Sequence, residues 1–95
     1  MFAVVGTWIM DANMRERRME ALPALVAGVR QNEGFVRGFW TEDVDDSDVS
    51  LTFIVFGTLE QAQAFREAVL ANAPAQAKSG IAGAGLRIVK VTADA

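Results

Sequence analysis

Two rhythms of apolar residues alternate along this chain. Residues 2–10, FAVVGTWIM, are a nearly unbroken run rich in β-branched and aromatic side chains. The run is too short for a typical buried helix, so it predicts a strand. After Asp11 the spacing changes. Met14, Arg18, Leu22, Leu25, Val26 and Val29 recur at intervals of three and four, the stripe of an amphipathic helix whose N-cap is the Asp11 carboxylate. The helix is expected to reach about Gln31, with Gly34 as its stop. Pro23 removes one backbone donor and crowds the preceding turn, so a kink or break is expected near Leu22.

GFVRGFW at residues 34–40 and VSLTFIVFG at residues 49–57 read as two strands joined by the polar turn TEDVDDSD, an antiparallel hairpin. Strict alternation puts Phe35, Arg37 and Phe39 on one side of the first strand and Val36, Gly38 and Trp40 on the other. The second strand divides into Leu51, Phe53 and Val55 against Ile54 and Phe56. Both faces are therefore largely apolar. Thr58 with Gln61 forms a capping box, and Leu59, Ala62, Phe65 and Val69 continue as a buried helical face ending near Asn72 and Pro74. PAQAKSGIAGAG, residues 74–85, reads as a Gly/Ala-rich connection, and LRIVKVTA, residues 86–93, as the last strand.

The order β-α-β-β-α-β predicts an α+β, ferredoxin-like split βαβ arrangement: a four-stranded antiparallel sheet with both helices on one face, because the two crossovers share a hand. Two helices cover one face only. The other would expose several apolar side chains, each forgoing about 1.5 to 3 kcal/mol of burial. An identical chain packed sheet on sheet is the simplest cover, so a homodimer is expected.

Composition narrows the chemistry. At 95 residues the chain suits a single domain, 1–95, with a small core. A net charge of −3 without a basic stripe and a pI near 4.8 argue against nucleic acid as partner. Cysteine, histidine and tyrosine are all absent, which removes disulfides, thiolate metal sites, the commonest haem and zinc ligand and any Ser-His-Asp triad. The opening MFAVVGTWIM has no basic n-region, and Asp11 interrupts it early. Neither a signal peptide nor a membrane span is expected, and a cytoplasmic location follows as the expectation.

NEGFVRGFW at residues 32–40, FIVFGTLEQAQAF at residues 53–65 and the element order together resemble the dimeric α+β barrel superfamily, in particular its antibiotic-biosynthesis-monooxygenase-like group. The resemblance implies two ferredoxin-like subunits joined sheet to sheet. Many members of the group end the third strand with a tryptophan, follow it with a Ser or Thr cap, and carry a histidine on the second helix. Here Thr58 keeps the cap, while Phe56 and Phe65 stand at the tryptophan and histidine positions. Haem-degrading relatives use that histidine and an asparagine on the first strand. This chain lacks both, so the resemblance does not extend to haem degradation, and no cofactor or metal is expected. Relatives that oxidise polycyclic phenols without metal or flavin need only groups that orient the phenol and stabilise developing charge.

The candidate ligand-binding residues are Trp8, Asn13, Arg37, Trp40, Phe56 and Phe65. Trp8 and Trp40 suit a flat aromatic pocket between the sheet and the first helix, although indoles equally furnish cores and interfaces. Arg37 offers an anion contact or a cross-strand ion pair. Asn13 offers a carbonyl-orienting amide or simple turn chemistry. Arg15, Arg17 and Arg18 read as a solvated face paired locally with Glu16 and Glu20. The acidic tip EDVDDSD lacks the glycine and distal glutamate of a calcium loop, and GIAGAG precedes a strand rather than linking a strand to a helix, so neither is a binding motif. Two functions remain: binding of a small, flat aromatic molecule by a homodimer without recognisable catalytic residues, or cofactor-independent monooxygenation of a polycyclic phenol.

Overall fold

A computed structural model of the chain describes residues 1–78 and 80–95, and the backbone alone at Ala84. Strand β1 (Phe2–Met10) leads through a single 3-10 turn (Ala12–Met14) into α1 (Arg15–Arg30). Then follow β2 (Phe35–Trp40), β3 (Val49–Phe56), α2 (Leu59–Ala71), a short α3 (Ala73–Lys78) and β4 (Ile81–Lys90). The strands form one four-stranded antiparallel sheet in the order β2-β3-β1-β4. This is the expected ferredoxin-like arrangement.

The core lies between the sheet and the helices. Val4 faces Ile54 across β1 and β3, and both join Val29 of α1, Phe56 and Ala62 of α2 in one buried cluster. Phe56 is fully buried. The Phe35 ring meets it edge-on at 6.4 Å, and Phe65 tilts against it at 5.1 Å, the offset geometries that aromatic quadrupoles favour. The capping box forms as expected: Thr58 Oγ1 accepts from the Gln61 amide at 3.2 Å, and Gln61 Oε1 accepts from the Thr58 amide at 3.1 Å. Gln61 also lies against Gly34, whose φ of +84° belongs to the left-handed region and where a Cβ would overlap the Gln61 carboxamide. Only glycine fits that approach.

Four expectations are corrected. First, α1 runs unbroken through Pro23. Met19 and Pro23 are both solvent-facing, so water can satisfy the carbonyl that loses its partner. Second, Asp11 caps the 3-10 turn, accepting from the Asn13 amide at 2.9 Å, and α1 proper begins only at Arg15. Third, the register of β2 on β3 passes from Phe35↔Phe56 to Arg37↔Val55. Val36 is the extra residue of a β-bulge, which turns Phe35 to the helix side while Arg37 and Phe39 stay on the other. Fourth, residues 74–85 are not a connection. Ala73–Lys78 is helical, with Pro74 tolerated in the first turn, where donors lack partners anyway. Residues 81–85 extend β4, so that Ile81 pairs with Met10. Ser79 lies outside the described residues.

On the face away from the helices, Phe53 stands between Val5 of β1 and Phe39 of β2. Ile9, Phe39, Phe53 and Val89 on this face are 37–54% exposed. The described helices leave that apolar surface open.

Candidate ligand-binding site

The two tryptophans follow the same local rule. Each stands two residues after a glycine on the same face of its strand, in GTW and GFW. A Cβ at Gly6 would fall 2.6 Å from Trp8 Nε1 and 2.9 Å from Thr52 Oγ1; one at Gly38 would fall 2.9 Å from the Trp40 ring. Both indoles thus lie across bare backbone. Trp8 donates its Nε1 proton to Thr52 Oγ1 at 2.9 Å, and its six-membered ring reaches the Gly83 position on β4, where a Cβ would sit 3.4 Å away. The indole therefore spans the sheet from β3 over β1 to β4.

Beyond that ring opens a half-enclosed cavity of about 390 Å³. Its floor is the backbone of Gly83 and Gly85 with Leu86; its walls are Trp8, Val69 and Leu70 of α2, and Ala73 and Gln76 of α3. None of these side chains carries a charge. A cavity of this size lies near the lower end of the range for small-molecule sites. The site exists because β4 has no side chains where the indole needs room and because α3 stands over that end of the strand.

The structure separates the residues singled out in the sequence. Trp8 lines the cavity. Trp40 shares its sheet face but packs against the core cluster, as does Phe65, and Phe56 is a member of that cluster. Arg37 is exposed on the opposite face, beside Val55. Asn13 is exposed on the 3-10 turn, at a shallow open depression formed with Arg15, Glu16, Met19 and Glu20. The expected pocket against α1, shared by both tryptophans, gives way to one against α2 and α3 with Trp8 alone, because the Thr52 bond and the Gly83 gap direct that indole toward β4. Gln76, Thr52 and Gly83 were missed. The glycine two residues before each tryptophan was a readable signal for the flat indoles; nothing local marked Gln76.

Several charged groups are engaged away from this cavity. Arg15 pairs with Glu42 of the hairpin at 2.8 Å, rather than with Glu16 or Glu20, and Arg18 donates to the Asp11 carbonyl. Asp43 Oδ1 accepts from the amides of Asp45 and Asp46, and Asp46 Oδ1 from that of Asp48, so the acidic tip is turn chemistry. Among the described residues no cluster of three or more metal-ligating side chains occurs, and no helix is long and apolar enough to cross a membrane.

No protein-family model matches the sequence, and no curated protein does. Solved structures match in fold over nearly the whole chain. The heme-degrader MhuD from Mycobacterium tuberculosis, with two hemes bound in its active site, superposes with a TM-score of 0.77 at 18% identity, covering 100% of this chain and 99% of that one. SnoaB, a cofactor-independent oxygenase from Streptomyces nogalater, gives 0.73 at 14% identity, covering 98% and 94%. A proposed antibiotic biosynthesis monooxygenase from Deinococcus radiodurans gives 0.74 at 17% identity, covering 100% and 95%. The fold is that of the antibiotic biosynthesis monooxygenase-like proteins.

Proposed function

We propose, from the fold shared with these monooxygenase-like proteins, that the chain is a one-domain member of their group which dimerises through its open sheet face and binds a small, flat aromatic molecule. The observation that carries the reading is the Trp8 indole, laid over glycine and forming one wall of an uncharged cavity of about 390 Å³. A planar ligand enters such a slot with its faces against apolar surface, and an aromatic wall adds about 0.5–1.5 kcal/mol beyond area burial. Dimerisation is supported by the exposed side chains of Ile9, Phe39, Phe53 and Val89 on one face.

Haem does not fit the residues present. The chain has no histidine, cysteine or tyrosine to ligate iron, and Phe65, at the position the resemblance gives to histidine, is stacked on Phe56. A second reading, oxygen transfer to a phenol without metal or flavin, is supported by the likeness to SnoaB. It ranks second because, among the described residues, no side chain lining the cavity is a base able to deprotonate a phenol.

The test uses Trp40→Phe, which leaves Trp8 as the sole fluorophore of the two tryptophans. Two-ring phenols should quench it saturably, and Gly83→Leu, which places a side chain on the cavity floor, should abolish the effect. No saturable quenching, or quenching that survives Gly83→Leu, refutes the site. For the second reading, labelled dioxygen should place one oxygen atom in a quinone product and the other in water, the phenol itself supplying the electrons and the two hydrogens, without added metal or flavin; phenol recovered unchanged rejects it.

A further inference from the structure

The cavity wall holds one side chain able to make new hydrogen bonds. Trp8 spends its Nε1 proton on Thr52, and the other side chains of the lining are aliphatic or absent. Gln76 stands on α3 facing this space, half-buried on a helix whose other residues are exposed. Its amide nitrogen is used in the backbone, bonding the Asn72 carbonyl at 3.1 Å. Among the described residues no other side chain or backbone group hydrogen-bonds its carboxamide. A carboxamide carries a donor and an acceptor side by side. We propose that Gln76 is the specificity-determining residue of the cavity, selecting a neutral two-ring aromatic whose edge presents an acceptor next to a donor, as a lactam does.

This inference rests on the ligand reading of the cavity and adds the chemistry of the ligand's polar edge. The complementary edge follows from the carboxamide: its NH₂ meets a ring carbonyl while its oxygen meets an adjacent ring N–H. A charged ligand is disfavoured because the lining offers no counter-charge, and an ion moved from water into an apolar slot loses hydration that a single amide does not restore. A ligand without a polar edge binds through the indole and the aliphatic wall alone and forgoes the amide pair. The selectivity expected of a site built to hydrogen-bond one edge exceeds that from shape, because a mismatched ligand leaves the polar group unpaired.

Three probes with nearly the same ring system separate the contributions: naphthalene, isoquinolin-1-one, and its N-methyl derivative, each titrated against the Trp8 fluorescence of Trp40→Phe. Isoquinolin-1-one should bind about tenfold tighter than naphthalene, with the N-methyl lactam losing most of that advantage. In Gln76→Leu the lactam preference should vanish while naphthalene still binds, which also shows that the variant is folded. Gln76→Glu, which keeps the shape but loses the donor, should lose the preference as well. Equal binding of lactam and naphthalene, or a preference that persists in Gln76→Leu, overturns the role of Gln76 and leaves the aromatic cavity standing. Absence of binding by all three probes overturns both.

Discussion

Gly6→Ala tests whether the Trp8 indole is held as described. Gly6 has no positive φ, so the backbone accepts alanine, and the substitution by itself would stabilise by about 0.4–1 kcal/mol through the unfolded chain. The added methyl, however, would sit 2.6 Å from Trp8 Nε1 and 2.9 Å from Thr52 Oγ1. Those two atoms are hydrogen-bonded to each other across the glycine, and neither is the end of a flexible chain. Breaking the bond costs about 1 kcal/mol, and displacing a packed indole costs about 1–3 kcal/mol. The net expectation is destabilisation by about 1–3.5 kcal/mol, read as a lower urea midpoint at unchanged slope and fixed protein concentration. Gly28→Ala is the control. No atom lies within 4 Å of its Cβ position and it sits inside α1, so alanine there should stabilise by about 0.5–1 kcal/mol. In a Thr52→Val background the bond is already gone, and the cost of Gly6→Ala should fall by about 1 kcal/mol. A Gly6→Ala protein within about 0.5 kcal/mol of the native one would refute the placement of the indole.

Phe53→Asp places a carboxylate in the middle of the open sheet face. Light scattering should then report a mass near 10.2 kDa, against twice that value for the native protein; a native monomer, or a variant that still dimerises, counts against pairing through this face. Thr58→Ala removes one half of the capping box on α2 and should cost about 1 kcal/mol in urea unfolding, with no change in ligand quenching because Thr58 does not line the cavity.

What the sequence determined by itself is the local periodic structure. A residue's preference for strand or helix depends on its own branching and on neighbours two, three or four positions away, and these are all present in the chain. β1, the helical span of α1 and the Thr58–Gln61 cap were legible for that reason, and with them the element order, apart from α3, and one uncovered sheet face. The apolar stripe expected on α1 was not, since Leu25 is exposed and only Val29 is buried there. The zero count of histidine, cysteine and tyrosine needs no structure either.

Tertiary structure decided whatever depends on pairing. The bulge at Val36 is a property of β2 on β3, and it moved Phe35 to the core side against its own alternation. Residues 82–85 are only alanine and glycine, yet they are strand because β1 offers backbone partners along its whole length, and backbone ladders need no particular side chain. The site was harder still. Trp8 lines a cavity, but against α2 and α3 rather than the expected α1, and where its indole points is fixed by Thr52, 44 residues away, and by the gap at Gly83. Gln76 faces the cavity only because α3 folds over β4. Contacts of such sequence separation leave no periodic trace, so the cavity and its one free carboxamide become visible only when the strands are paired.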